Sequence, residues 1–157
     1  MESNDHLAFL TPEGKKKREE ELEYLRTVRR AEVAEKIHIA KDGGDLAENA
    51  GYDAAKEEQA HLEGRIQELE VLLARAVVIE ESSDYTVVEI GCHVTVAERG
   101  RSPEVFHMVG PAETDPGEGK ISYESPLGRA LMGKKPGEEV EVLAPDGLIR
   151  FRILEVR

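Results

Sequence analysis

The amino-acid sequence predicts an α+β protein: an N-terminal antiparallel coiled-coil hairpin followed by a small β-rich domain with one short helix. Three observations carry this prediction. Tyr52, Ala55, Gln59, Leu62, Ile66, Leu69, Leu73 and Ala76 step by alternating threes and fours, an a/d heptad with Gln59 as its one polar member. Gly43-Gly44 separates that pattern from an earlier helical stretch. After Arg75 the apolar period shortens to that of strands. The expected domains are residues 1–80 and 84–157, joined by the linker-like Glu80-Glu81-Ser82-Ser83-Asp84.

Each element has a local cause. Thr11-Pro12-Glu13 offers an N-cap hydroxyl, a proline whose missing N–H costs nothing at a helix start, and an acid facing the helix dipole. Leu22, Leu25, Val33, Ile37 and Ala40 follow at roughly helical spacing, with Arg29 interrupting the stripe. Gly43-Gly44 then ends the helix, glycine being suited to a left-handed C-cap. The heptad helix returns, and arms of about 30 residues make a rod of roughly 45 Å. No compact core needs that length, so the rod reads as a device for reaching. Behind it, strands are expected at Val77–Ile79, Val87–Ile90, Val94–Val96, Val105–Val109, Val140–Leu143 and Ile149–Ile153. Ser125-Pro126 starts a short helix that Gly133-Lys134-Lys135-Pro136-Gly137 ends, and Ala144-Pro145-Asp146-Gly147 is a hairpin turn.

Composition excludes several functions. Charged residues make up 34% of the 157 residues and aromatics 4%, which suits solvated helices better than one thick core. A net charge of −12 argues against wrapping duplex DNA. Apolar runs are too short for a membrane span, and Met1-Glu2-Ser3-Asn4-Asp5 is acidic where a secretory leader is basic, so a soluble cytoplasmic protein is expected. The single Cys92 excludes an internal disulfide, and no zinc spacing, nucleophile elbow or P-loop is present. No self-sufficient active site can be assembled from these residues.

The sharpest feature lies between the two helices. Arg26, Arg29, Arg30, Lys36 and Lys41 form a basic stretch opposed by only Glu32 and Glu35; Asp42, Asp45, Glu48 and Asp53 then follow without a base. If the second helix begins near Asp45, then Asp45 and Glu48 lie on one side of it about 5–6 Å apart. Two such carboxylates can share Mg²⁺ but cannot hold it alone, so the tip reads as half of a site. Asp45-x-x-Glu48 equally reads as a capping box, and on spacing alone capping is the commoner use. Likewise, the basic run is more often a solvated face than a nucleic-acid track.

Two long motifs resemble those of the bacterial Gre transcript cleavage factors. One is Gly44-Asp45-Leu46-Ala47-Glu48-Asn49-Ala50-Gly51-Tyr52-Asp53-Ala54-Ala55-Lys56-Glu57-Glu58-Gln59. The other runs from Gly119-Lys120-Ile121-Ser122-Tyr123-Glu124-Ser125-Pro126 to Gly137. The resemblance implies an FKBP-like C-terminal domain that docks on a coiled coil of the largest RNA polymerase subunit through Glu124, Ser125 and Pro126. It implies a coiled coil inserted into the secondary channel, where the 3′ end of backtracked RNA emerges. Asp45 and Glu48 would share Mg²⁺ with the polymerase, which performs the hydrolysis; no cofactor is bound by the factor alone. Asn49 and Tyr52 would shape the tip or touch substrate, and Arg29, Arg30 and Lys36 would steer RNA through phosphate contacts. The expected protein is a monomer, an activator rather than an enzyme, with no membrane association. Gly51 departs from the Glu often found there, and Glu124 stands where other members carry another polar residue. A channel-blocking inhibitor, a plain coiled-coil interaction protein and a prolyl isomerase are the rival readings.

Overall fold

The computed structural model describes residues 7–43, 49–80, 82 and 84–157. The chain divides into two compact units, Lys15–Arg75 and Met1–Gly14 with Ala76–Arg157. The second unit is therefore discontinuous, and the boundary expected near residues 80–84 falls inside it. The reason is a short parallel pairing that sequence periodicity does not reveal: β1 (Ala8–Leu10) lies against β2 (Ala76–Val78), with Ala8 opposite Ala76.

The first unit is a helical hairpin. Thr11 caps α1 (Pro12–Tyr24), its Oγ1 accepting the Gly14 N–H at 3.0 Å, as its sequence predicts. α1 runs into a π-helical turn at Leu25–Arg29 and on into α2 (Arg30–Asp42). The π turn has a cause in the spacing. A strict heptad continuing from Leu22 and Leu25 would need apolar residues at 32 and 36, where Glu32 and Lys36 stand. Val33 and Ile37 arrive one residue late, and a π turn accommodates one extra residue. Val33 is thereby returned to the seam and buried. α2 ends at Gly43 in a right-handed conformation (φ −83°, ψ 0°), not the left-handed cap expected, while Gly44 lies outside the described residues.

α3 (Ala50–Ala74) completes the hairpin, and Leu62, Ile66 and Leu69 pack against Leu22 and Val33. Ala55 is also buried, whereas Tyr52, Gln59 and Leu73 are half-buried. The last heptad residue, Ala76, has left the helix for β2.

In the second unit a five-stranded mixed sheet runs in the order β5–β4–β3–β7–β6. Its strands are β3 (His93–Glu98), β4 (Glu104–Val109), β5 (Lys120–Ser122), β6 (Glu139–Ala144) and β7 (Gly147–Val156). β4 and β5 are parallel and the other neighbours antiparallel. The short helix α4 (Pro126–Leu131) contributes Leu131 to a core of Val88, Cys92, Val94, Val96, Met108, Val140, Ile153 and Val156. Pro145-Asp146 turns β6 into β7 with Ala144 opposite Gly147, as expected. Val87–Ile90 is not a strand. Val88 is held instead by the helix-exit loop, its N–H donating to the Lys134 carbonyl and its carbonyl accepting from Gly133, both at 2.9 Å.

Candidate functional site

Asp45 and Glu48 lie outside the described residues; what the structure places is the frame on either side of them. α3 starts at Ala50, and its N-cap is Asn49 rather than Asp45. This corrects the capping-box reading, under which Asp45 would open the second helix. Asn49 uses both ends of its amide. Its Oδ1 accepts the Tyr52 N–H at 3.0 Å, and its Nδ2 donates to the Ala40 carbonyl near the end of α2. One side chain thus ties the last turn of one arm to the first turn of the other. Tyr52 sits half-buried one turn into α3.

The basic residues of the first arm are engaged with the second. Arg29 donates to Glu32 at 2.6 Å and to Glu58 at 2.7 Å. Arg30 forks onto Glu63, with Nε and Nη2 at 2.9 and 2.8 Å from its two oxygens. Lys36 reaches both oxygens of Glu58 at 3.0 and 3.1 Å. Lys36 first and Arg29 second hold the Glu58 carboxyl below its ordinary value, and Arg30 does the same to Glu63. These cations therefore clasp the hairpin, and each is largely neutralised by a carboxylate as it stands. Toward the tip the balance differs. Lys41, in the last turn of α2, has no ion pair among the described residues, and Lys56 donates only to the neutral Gln59. The sequence places Lys41 in the basic stretch but does not separate it from the paired cations, and it does not single out Lys56, because pairing between two arms is invisible until the arms are side by side.

At the other candidate surface Ser125 is the N-cap of α4, as expected. Its hydroxyl accepts the Gly128 N–H at 3.1 Å and donates to the Ser122 carbonyl at 2.7 Å. Ser122 in turn accepts the Glu124 N–H at 3.0 Å. Gly128 fits because it has no side chain: a Cβ there would lie 2.0 Å from the Ser122 oxygen. The result is a tight corner with Ser125 half-buried and Glu124 and Pro126 exposed on either side. Among the described residues no group of three or more His, Cys, Asp or Glu side chains is placed to hold a metal ion. No described helix is long and apolar enough to cross a membrane.

Two family signatures cover nearly the whole chain: "Transcription elongation factor, N-terminal" matches residues 8–78, and "Transcription elongation factor, GreA/GreB, C-term" matches residues 82–157. The chain belongs to the GreA/GreB family. Its similarity to individual family members is high. Transcription elongation factor GreA of Thermoanaerobacter pseudethanolicus is 56% identical over 151 residues, covering 95% of this chain and 96% of that protein. GreA of Clostridioides difficile is 52% identical over 159 residues, covering 100% and 99%. Among solved structures, the GreA factor homolog 1 (Gfh1) protein of Thermus thermophilus is 31% identical, covering 96% of this chain and 99% of that one, with a TM-score of 0.45. In Gre terms, the first signature spans β1 through β2, so it includes the whole hairpin and its tip.

Proposed function

We propose that this Gre-family chain is an accessory factor of RNA polymerase that stimulates the polymerase's own cleavage of backtracked RNA. The supporting observation is the Asn49 staple, which joins the last turn of α2 to the first turn of α3 and makes Asn49 the cap of α3. Asp45 and Glu48 offer carboxylate oxygens, the hard donors that Mg²⁺ prefers, and two of them leave its coordination open for a partner's ligands. When bound, the ion would supply charge stabilisation and an activated water for in-line phosphodiester attack. The chain's own part is to carry the two carboxylates to the end of a long hairpin and present them there. Tyr52 stands beside the tip, and Lys41 and Lys56 offer positive charge to RNA phosphates. Arg29, Arg30 and Lys36 would contribute to RNA steering only by exchanging their carboxylate partners for phosphate.

The second unit is the docking module in this reading, taken as FKBP-like on the strength of the motif resemblance. Glu124 and Pro126 present the partner contact, and the Ser125 cap fixes the corner between them. The factor works as a cytoplasmic monomer. Its test is RNA cleavage in a stalled, backtracked polymerase complex with Mg²⁺, comparing the wild type with Asp45→Ala and Glu48→Ala. Cleavage by the wild type, lost in both variants while polymerase binding persists, is the expected result. A wild-type protein that binds and gives no stimulation would instead favour a channel-blocking regulator.

A further inference from the structure

Across β3, β6 and β7, an open pocket of about 390 Å³ is lined by Arg99, Arg150 and Arg152 together with Ala97, Glu98, Glu139 and Phe151. Alternation along β7 puts Arg150 and Arg152 on one face. Arg152 lies opposite Ala97 on β3 and Glu139 on β6. The small Ala97 leaves the room that a larger cross-strand neighbour would fill. Arg99 follows directly after β3. We propose that this pocket is a binding site for a phosphate-bearing small molecule, specifically a di- or triphosphate group.

Five observations support that ligand. All three cations are arginines, whose planar forks match phosphate oxygens two at a time, where a lysine would offer only a point charge. Arg99 and Arg152 have no ion-pair partner among the described residues. Arg150 gives only its Nε to Glu141, at 2.9 Å, so its terminal nitrogens remain for another acceptor. Of the two acids in the lining, Glu98 is drawn to Arg101 at 3.5 Å, leaving Glu139 as the opposing charge. The lining thus sets three arginines against two glutamates on a chain of net charge −12. The volume falls within the range of small-molecule pockets, about 300–1,000 Å³, and exceeds what a lone carboxylate side chain fills. The proposal does not depend on the tip or on transcript cleavage.

The test is a titration of the ¹⁵N-labelled full chain with sodium pyrophosphate at constant ionic strength, followed by amide NMR. Saturable shifts at residues 97–99 and 150–152 are expected. In the Arg99→Ala and Arg152→Ala variants affinity should fall about tenfold each, the scale of losing one charge-assisted contact. Arg152→Lys should bind with intermediate affinity, because the charge survives and the fork does not. A parallel titration with a nucleoside diphosphate separates the sources: tighter binding than pyrophosphate assigns a nucleotide, and equal binding assigns the phosphate chain alone. The proposal is overturned by absence of saturable shifts, by shifts that persist unchanged in both alanine variants, or by binding of an acidic peptide without binding of pyrophosphate. Thermal melting of each variant checks that the fold is intact.

Discussion

The side chain of Glu113, buried within the second unit, accepts two hydrogen bonds from Thr11, from its N–H at 2.7 Å and its hydroxyl at 2.6 Å. Glu113→Ala would leave both donors buried without an acceptor and should lower stability by about 1–3 kcal/mol in thermal melts. Gly14→Ala attacks the same place sterically, since its Cβ would lie 1.8 Å from a Glu113 oxygen. Asn49→Ala removes the cap of α3 and should cost about 1 kcal/mol of hairpin stability. In the cleavage assay it should also weaken stimulation without abolishing polymerase binding, because the docking corner is elsewhere. His107 makes a pH prediction. It stacks on His93 with ring centroids 4.2 Å apart, and burial first, then His93 and Lys120, push it below 6.5. The unfolded chain therefore binds the proton more readily. Stability from neutral His107 is full above pH 6.5 and is lost as pH falls through that value and on through the lower folded one. NMR titration of the imidazole should place its midpoint below 6.5, and His93→Gln should move it part of the way back.

Among the elements, the hairpin rests on a narrow apolar seam. Leu69 is fully buried against Leu22 and Ile66, and Leu69→Ala should cost about 2–5 kcal/mol. Deleting Val28, an exposed residue of the π turn, brings Val33 and Ile37 into strict heptad register. The deletion variant should keep its helicity and melt cooperatively by circular dichroism; collapse would mean that the widened turn is required for folding. The same elements show what sequence can and cannot reveal. The heptad of α3, the Thr11 and Ser125 caps and the Pro145-Asp146 turn were legible because each depends on residues within a few positions of one another. β1 escaped notice because three residues carry no period. The one-residue lag at Val33 was present in the sequence, but its accommodation as a π turn depends on where the partner arm lies. At the tip, Asp45 and Glu48 could be named from spacing and resemblance, whereas the clasp of Arg29, Arg30 and Lys36 onto Glu58 and Glu63 joins residues 22 to 33 positions apart.

For the whole molecule, the discontinuous unit makes a prediction about dissection. A fragment of residues 84–157 lacks Leu10, fully buried, and Ile79, whose N–H donates to the Leu10 carbonyl at 2.8 Å. It also lacks Phe9, which meets Tyr123 edge to face at 6.1 Å. Losing each buried aliphatic side chain removes about 1.5–3 kcal/mol of burial. The fragment should melt below a version in which residues 7–14 are joined to 76–157 by a short linker, and calorimetry of the pair checks this. The parallel pairing of β1 with β2 also bears on the order of events at the ribosome. Ala8–Leu10 emerges early, and its partner Ala76–Val78 follows only after the entire hairpin has been synthesised. At about 5–20 residues per second, the first strand waits roughly 3–14 s for the residues that complete it. During that wait Phe9 and Leu10 are an unpaired apolar segment on a nascent chain, and the hairpin growing behind them is what carries their partner into place.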